Sequence, residues 1–192
     1  KKFQITDISS KVVNRNPSGP FTTSTLQQVA SSRLGFGASR TMQIAQKLYQ
    51  GIEIDGETIG LITYMRTDGT NLSADAISDF RNFIKNKYGK EYLPENPLNY
   101  SGKKAKNAQE AHEAIRPTDI IRSPDSVKKY LSPDQQKLYN LIWSRALSSQ
   151  METAKFDRNT ITISSEDNQT ICKTSGSVLK FDGYLKVFPS PN

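Results

Sequence analysis

The chain has 192 residues, with 26 Lys and Arg against 19 Asp and Glu and a formal net charge of +7. Hydrophobic residues make up 35% and charged ones 23%, which excludes a disordered chain and allows a core, though not a thick one. The lone Cys172 excludes a disulfide scaffold, and one cysteine with one histidine supplies too few soft ligands for an internal zinc site. No apolar run approaches the about 20 residues of a membrane span, and nothing at the front resembles a signal peptide. Starting at Lys1 without a methionine and stopping in Phe-Pro-Ser-Pro-Asn, the chain reads as a piece of something longer. The net charge suits a polyanionic partner as readily as an ordinary solvated surface. Its basic residues are spread out, with small clusters at Lys1-Lys2 and at Lys103, Lys104 and Lys106.

Residues 3–13 alternate loosely through Phe3, Ile5, Ile8 and Val12, predicting one or two short strands, and Asn14 to Pro20 reads as a turn or linker. Ser24-Thr25-Leu26-Gln27 has capping-box spacing and predicts a helix over about 25–34, stopped by Gly35 and Gly37. Ser39 caps a second helix with Met42, Ala45, Leu48 and Tyr49 on one face, ended by Gly51. Residues 52–60 read as a loop and Leu61 to Met65 as a strand or extended segment. Asn71 and Ser73 open a third helix whose Ile77, Phe80, Ile84 and Tyr88 form an apolar stripe. After a long loop over 93–107, residues 108–115 suit two helical turns that end before Pro117.

A short helix over 124–131 follows Ser123, and Ser132-Pro133-Asp134-Gln135, a capping box with proline at N1, opens the longest helix. From Phe156 the period drops to two. Strands are expected around 160–163, 170–172, 178–181 and 184–187, with turns at Glu166-Asp167-Asn168 and Asp182-Gly183. The layout is α+β, a helical domain inserted into a β-rich one. Tyr49, Phe80, Tyr88 and Tyr139 read as core rather than as platforms for stacked bases, and Cys172 as a small buried apolar residue.

Two constellations carry chemistry. Along an extended Tyr64-Met65-Arg66-Thr67-Asp68, the phenol, guanidinium and carboxylate of residues 64, 66 and 68 share one side. Arginine offers a planar fork for two phosphate oxygens, and a phenol becomes a useful nucleophile where a cation stabilises its phenolate. Tyr-x-Arg therefore suits attack on a phosphodiester; a buried tyrosine beside an Arg-Asp ion pair has the same spacing. The second constellation is Glu110-Ala111-His112-Glu113-Ala114-Ile115-Arg116-Pro117. On a helix, His112 and Arg116 would share a face and could grip phosphate. His112 could equally be a structural residue paired with Glu110 or Glu113.

Pro20-Phe21-Thr22-Thr23-Ser24-Thr25-Leu26-Gln27, Gly60-Leu61-Ile62-Thr63-Tyr64-Met65-Arg66-Thr67-Asp68 and Glu110 to Pro117, in this order, resemble the bacterial type IA DNA topoisomerases. The tail around Lys180-Phe181-Asp182-Gly183-Tyr184 is similar to the same family. The resemblance implies that Tyr64 attacks single-stranded DNA and becomes joined to a 5′-phosphate, with Arg66 stabilising charge on the scissile phosphate. It places His112, and with it Arg116, near the DNA. Thr67 and Asp68 belong to the same DNA-binding set and orient Arg66 or the backbone. The family usually carries serine where this chain has Gly69, a difference expected to cost one local hydrogen bond.

The resemblance also implies a division of the chain. Residues 1–22 and 154–192 would be strands of a β-rich arch domain, flanking a tyrosine-bearing helical domain over 23–153. It implies relaxation of negatively supercoiled DNA, a cytoplasmic, nucleoid-associated setting and no membrane. Its Mg²⁺ would be held by a toprim domain outside this chain, with no metal ligands here. The piece alone is then expected to be inactive. A non-catalytic module that binds single-stranded DNA is the alternative.

Overall fold

The structure, a computed structural model, describes residues 2–100 and 112–190. In chain order its elements are β1 (Phe3–Arg15), α1 (Thr23–Leu34), α2 (Ala38–Gln50), β2 (Ile52–Ile54), β3 (Glu57–Ile59), α3 (Ala74–Lys87), α4 (Pro124–Val127), α5 (Pro133–Ser148), β4 (Ala154–Ser165) and β5 (Ile171–Phe181). Tight 3-10 turns occupy Lys90–Tyr92, Lys128–Tyr130 and Gly183–Lys186. The α+β expectation holds.

The two-residue periods at opposite ends of the chain meet in one antiparallel sheet of order β1-β4-β5. Its register aligns Ile5, Ile163 and Cys172, and also Val12, Asp157 and Val178. Since paired residues share a face, Phe3, Ile5, Ile8, Ile161, Ile163 and Val178 make one side largely apolar. The other carries Asp7, Thr162, Lys173, Lys11 and Arg158 in its middle, with Ile171 at one end and Val13, Phe156 and Leu179 at the other. Phe3, Ile5, Ile8, Val12 and Val178 are nevertheless exposed. Cys172 lies on this same open face and is exposed, not buried as its composition class suggested.

The core lies among the helices. α5 is its axis, because α1 and α2 both pack on it and Leu138, Tyr139, Ile142, Trp143, Ala146 and Leu147 are all buried along it. The buried polar tips are satisfied: Tyr139 Oη donates to Arg122 O at 2.7 Å, and Trp143 Nε1 donates to Ile120 O at 3.0 Å. Ser132 caps α5 with Gln135 as its reciprocal partner, as the spacing predicts.

Elsewhere the boundaries move. α1 is capped by Thr22 with Thr25 as its box partner, two residues ahead of the expected Ser24, because Thr22 Oγ1 meets the Thr25 amide at 3.3 Å. Gly37, not Ser39, precedes α2. The loop expected over 52–60 is the hairpin β2–β3, turned at Asp55 and Gly56, whose φ values of 50° and 89° are those that an Asp-Gly turn supplies. The strand expected over 184–187 is a 3-10 turn. Tyr88 is half-buried at the end of α3 while Phe80 and Ile84 are buried. Leu138→Ala should lower the unfolding free energy by about 3 kcal/mol, measured by urea denaturation, because the helices around α5 cannot close the void.

Candidate active site

The Tyr64 segment is not a strand: Ile62 makes a single bridge and the chain bends at Thr63 and Met65. Its first residue docks on the end of α2, where Leu61 N donates to Leu48 O at 2.8 Å. Gly60 permits this approach: a Cβ there would stand 2.7 Å from the Tyr49 carbonyl oxygen. Ile62 then forms a single bridge with Pro117. Thr63 N donates to Arg116 O at 2.9 Å, Thr63 Oγ1 donates to Ala114 O at 2.7 Å, and Arg116 N donates to Thr63 Oγ1 at 3.0 Å.

The far end is tied to the start of α1. Thr67 N donates to Thr23 Oγ1 at 2.8 Å, Thr23 N donates to Thr67 O at 2.9 Å, and Thr23 Oγ1 donates to Met65 O at 2.8 Å. Threonine hydroxyls thus satisfy backbone groups that a sheet ladder would otherwise pair.

This clamping buries Met65 and Thr67 and leaves Tyr64, Arg66 and Asp68 on the open side, as the alternation predicts. Tyr64 is 50% exposed, so it is not a core tyrosine. Arg66 forms no ion pair with any described residue, Asp68 included.

Residues 112–117 correct the helical expectation for that segment; the part over 108–111 lies outside the described residues, as does Glu110. Here the backbone runs through three single bridges, Asn71 with Glu113, Phe21 with Ile115, and Ile62 with Pro117. Pro117 disfavours a helix before it, and these bridges supply the bonds that helical turns would have made. His112 and Arg116 therefore do not form a helical grip. His112 is exposed, with Nδ1 3.7 Å from Asp68 Oδ1. Arg116 turns to Glu113, with Nε 2.6 Å from Oε1 and Nη2 3.2 Å from Oε2, and its Nη1 donates to Pro117 O at 3.0 Å. Burial opposes ionisation of Glu113, but the bonds from Arg116 and from Ser73 N together outweigh it and hold the carboxyl below its ordinary value.

Tyr49, Thr63, Tyr64, Arg66, Thr67, His112 and Glu113 line one cleft of about 480 Å³. Sequence reasoning assigned Tyr49 to the core. It is instead 42% exposed, with its ring edge-on to Tyr64 at a centroid distance of 5.3 Å and an angle of 63°. Its place in the last turn of α2, just before Gly51, was the available signal. Thr23, Thr63 and Glu113 were also missed as site residues, since their roles depend on partners far along the chain. Among the described residues no group of three or more His, Cys, Asp and Glu could hold a metal ion.

A family model described as DNA topoisomerase matches residues 1–192. DNA topoisomerase 1 of Rickettsia typhi is 53% identical over 188 residues, which cover 98% of this chain and 24% of that protein. DNA topoisomerase 1 of Haemophilus influenzae is 48% identical over 187 residues, covering 97% of this chain and 20% of that one. The solved structure of full-length topoisomerase I from Thermotoga maritima superposes with a TM-score of 0.86 at 39% identity, over 99% of this chain and 30% of that chain. The chain thus spans about a quarter of the length of the curated relatives it matches.

Thr23→Val should loosen the Tyr64 segment and lower stability by about 1–2 kcal/mol, read by thermal denaturation together with faster amide exchange at Thr67. Because the folded Glu113 carboxyl titrates below the unfolded one, its contribution is complete above about pH 4.5 and is lost as pH falls through the folded value. Protection of the Ser73 amide should fall in that acid range, and Glu113→Gln should remove the acid-dependent component.

Proposed function

The chain belongs to the bacterial type IA DNA topoisomerase family, and from that premise we propose that it carries the nucleophile for reversible cleavage of one DNA strand. The observation that carries this reading is the clamped segment that turns Tyr64 and Arg66 outward into one cleft with His112.

Tyr64 Oη attacks the scissile phosphorus and forms a 5′-phosphotyrosyl bond. The bond to the 3′ oxygen breaks, and that oxygen leaves as a hydroxyl after taking a proton. Attack by the same hydroxyl reseals the strand and returns the phenol. Tyr49, edge-on to Tyr64, restricts the direction of the phenol. Arg66, unpaired among the described residues, is available to the non-bridging phosphate oxygens as charge builds on them. His112 and Asp68, both exposed, form the DNA-facing rim. Arg116 and Thr67 are engaged in holding the backbone, so we assign them positioning roles within the DNA-binding set.

The substrate in this reading is single-stranded DNA within negatively supercoiled duplex, relaxed through cycles of cleavage, passage and resealing, in the cytoplasm with the nucleoid. No helix among the described residues is long and apolar enough to cross a membrane. Glu113, the carboxylate that lines the cleft, does not fit a magnesium site, because it is committed to Arg116 and Ser73. We place the Mg²⁺ ligands in a toprim domain outside this chain and route no step here through the ion. The exposed apolar side of the β1-β4-β5 sheet supports a division in which residues 1–22 and 154–192 belong to a β-rich arch domain and 23–153 to the helical one.

In the full-length enzyme, Tyr64→Phe should abolish the covalent adduct with a single-stranded oligonucleotide while binding of the oligonucleotide and the melting temperature stay near wild type. The 192-residue chain alone should give no adduct until a toprim fragment is added. An adduct that survives Tyr64→Phe would overturn the assignment, and DNA binding without any Tyr64-dependent chemistry would favour a non-catalytic binding module.

A further inference from the structure

Arg33 and Arg145 are far apart in the sequence, yet both stand over one aromatic ring. The guanidinium carbon of Arg33 lies 4.0 Å from the centroid of Phe188. That of Arg145 lies 5.3 Å from the same centroid and 5.0 Å from the centroid of Phe21. Phe188 and Phe21 are buried, so the rings beneath the two cations are fixed parts of the core. Arg145 Nε also donates to Gly19 O at 2.6 Å. Planar cations on aromatic faces are a mode of packing that suits arginine better than lysine.

What these two arginines lack is an acid. Arg40, Arg116 and Arg122 each face a carboxylate, of Asp134, Glu113 and Asp119 respectively. Neither Arg33 nor Arg145 makes an ion pair with a described residue, and Arg33 makes no side-chain hydrogen bond with one. The charges that act on Arg145 are those of Arg33 and of the Tyr100 and Tyr184 phenols. Burial first, and then Arg33, holds Arg145 below its ordinary value, and burial does the same to Arg33. Two cations over one ring, partly withdrawn from water, repel each other with no described carboxylate to offset the cost.

Their donors are nevertheless open. Among the described residues, Arg81 Nη1 is the one buried polar side-chain atom without a hydrogen-bond partner. The unbonded nitrogens of Arg33 and both Nη atoms of Arg145 therefore reach solvent.

We propose that Arg33 and Arg145 form a phosphate site that holds the backbone of single-stranded DNA outside the cleavage cleft. Each guanidinium offers paired N–H donors to phosphate oxygens, and the negative charge relieves the repulsion between the two cations. Arg33 lies in the last turn of α1, whose first residue, Thr23, ties down the Tyr64 segment. The helical rise from Thr23 to Arg33 is about 15 Å, and neither arginine lines the Tyr64 cleft. The proposal rests on the reading of this chain as part of a strand-cleaving enzyme and adds a contact beyond the reacting phosphate.

The test is binding of a labelled single-stranded oligonucleotide to the full-length enzyme that contains this chain, measured over a series of salt concentrations. Arg33→Gln should weaken binding about tenfold, the worth of one charge-assisted hydrogen bond. It should also reduce the salt slope by about 0.7, the share of one neutralised phosphate. Arg145→Lys keeps the charge and loses the fork, so binding should weaken with little change of slope. The melting temperature of Arg33→Gln should stay near wild type.

Unchanged affinity in either variant would overturn the proposal. So would an Arg33→Gln enzyme that fails to fold or melts several degrees lower, the sign that these arginines hold a carboxylate elsewhere in the full-length chain. Tyr64→Phe, run in parallel, separates the two levels. Adduct formed by that variant, or a wild-type enzyme that does not bind the oligonucleotide, removes the reading of the site; binding that ignores Arg33 and Arg145 removes only the phosphate site.

Discussion

A chain segment that is irregular, buried along one side and without a partner strand must still find partners for its backbone polar groups. The site depends on how residues 61–67 meet that demand. The segment runs from the end of α2 to the start of α1 and pairs with no named strand. Its backbone partners are the hydroxyl and amide of Thr23, the Leu48 carbonyl and a second irregular segment over 112–118, which it meets at the Ile62–Pro117 bridge and whose own groups at 114 and 116 bond the Thr63 hydroxyl. An unpaired buried peptide group costs on the order of 1–3 kcal/mol, so these few bonds decide the path of the segment. Along that path Met65 and Thr67 are buried, and Tyr64, Arg66 and Asp68 come out together.

The same clamp joins the site to the stability of the helical unit. Thr23 begins α1, whose cap is the Thr22–Thr25 pair. Leu61 hangs from the last turn of α2 through Leu48. Ile62 and Ile115, which flank the crossing, are themselves core residues. Each buried aliphatic side chain of this kind contributes roughly 1.5–3 kcal/mol, and the outward residues rest on that packing without entering it. Tyr49 and Tyr64 differ in this respect from Tyr139: the first two lean on each other at the surface, while Tyr139 is enclosed and its hydroxyl spent on Arg122.

Away from the helices, the sheet obeys a different balance. Its register gathers Phe3, Ile5, Ile8, Val12, Ile161, Ile163 and Val178 on one face, the majority of its apolar side chains, although Asp157 and Asn159 share that face. The apolar side is nevertheless open in this chain. The strands therefore owe their order to their mutual hydrogen bonds and to their junction with the helical unit at Ala154 and Phe181, near the 3-10 turn at Gly183–Lys186.

Much was legible in the order of residues alone. The Ser132 cap, the period-two tail and the outward triplet Tyr64, Arg66 and Asp68 needed only local stereochemistry, which acts over a few neighbouring residues. What failed did so where distant partners decided the outcome. The segment after residue 111 is extended because Asn71, Phe21 and Ile62 bridge it, and no pattern within residues 108–117 encodes those partners. Tyr49 left the expected core because α2 ends against the Tyr64 segment. Arg116 turned inward to Glu113, and Gly69 lies against the His112 carbonyl, more than forty residues along the chain. Composition and spacing determined which groups could do the chemistry. Only tertiary contact decided which of them face the cleft, because that choice is made by backbone groups paired across the fold.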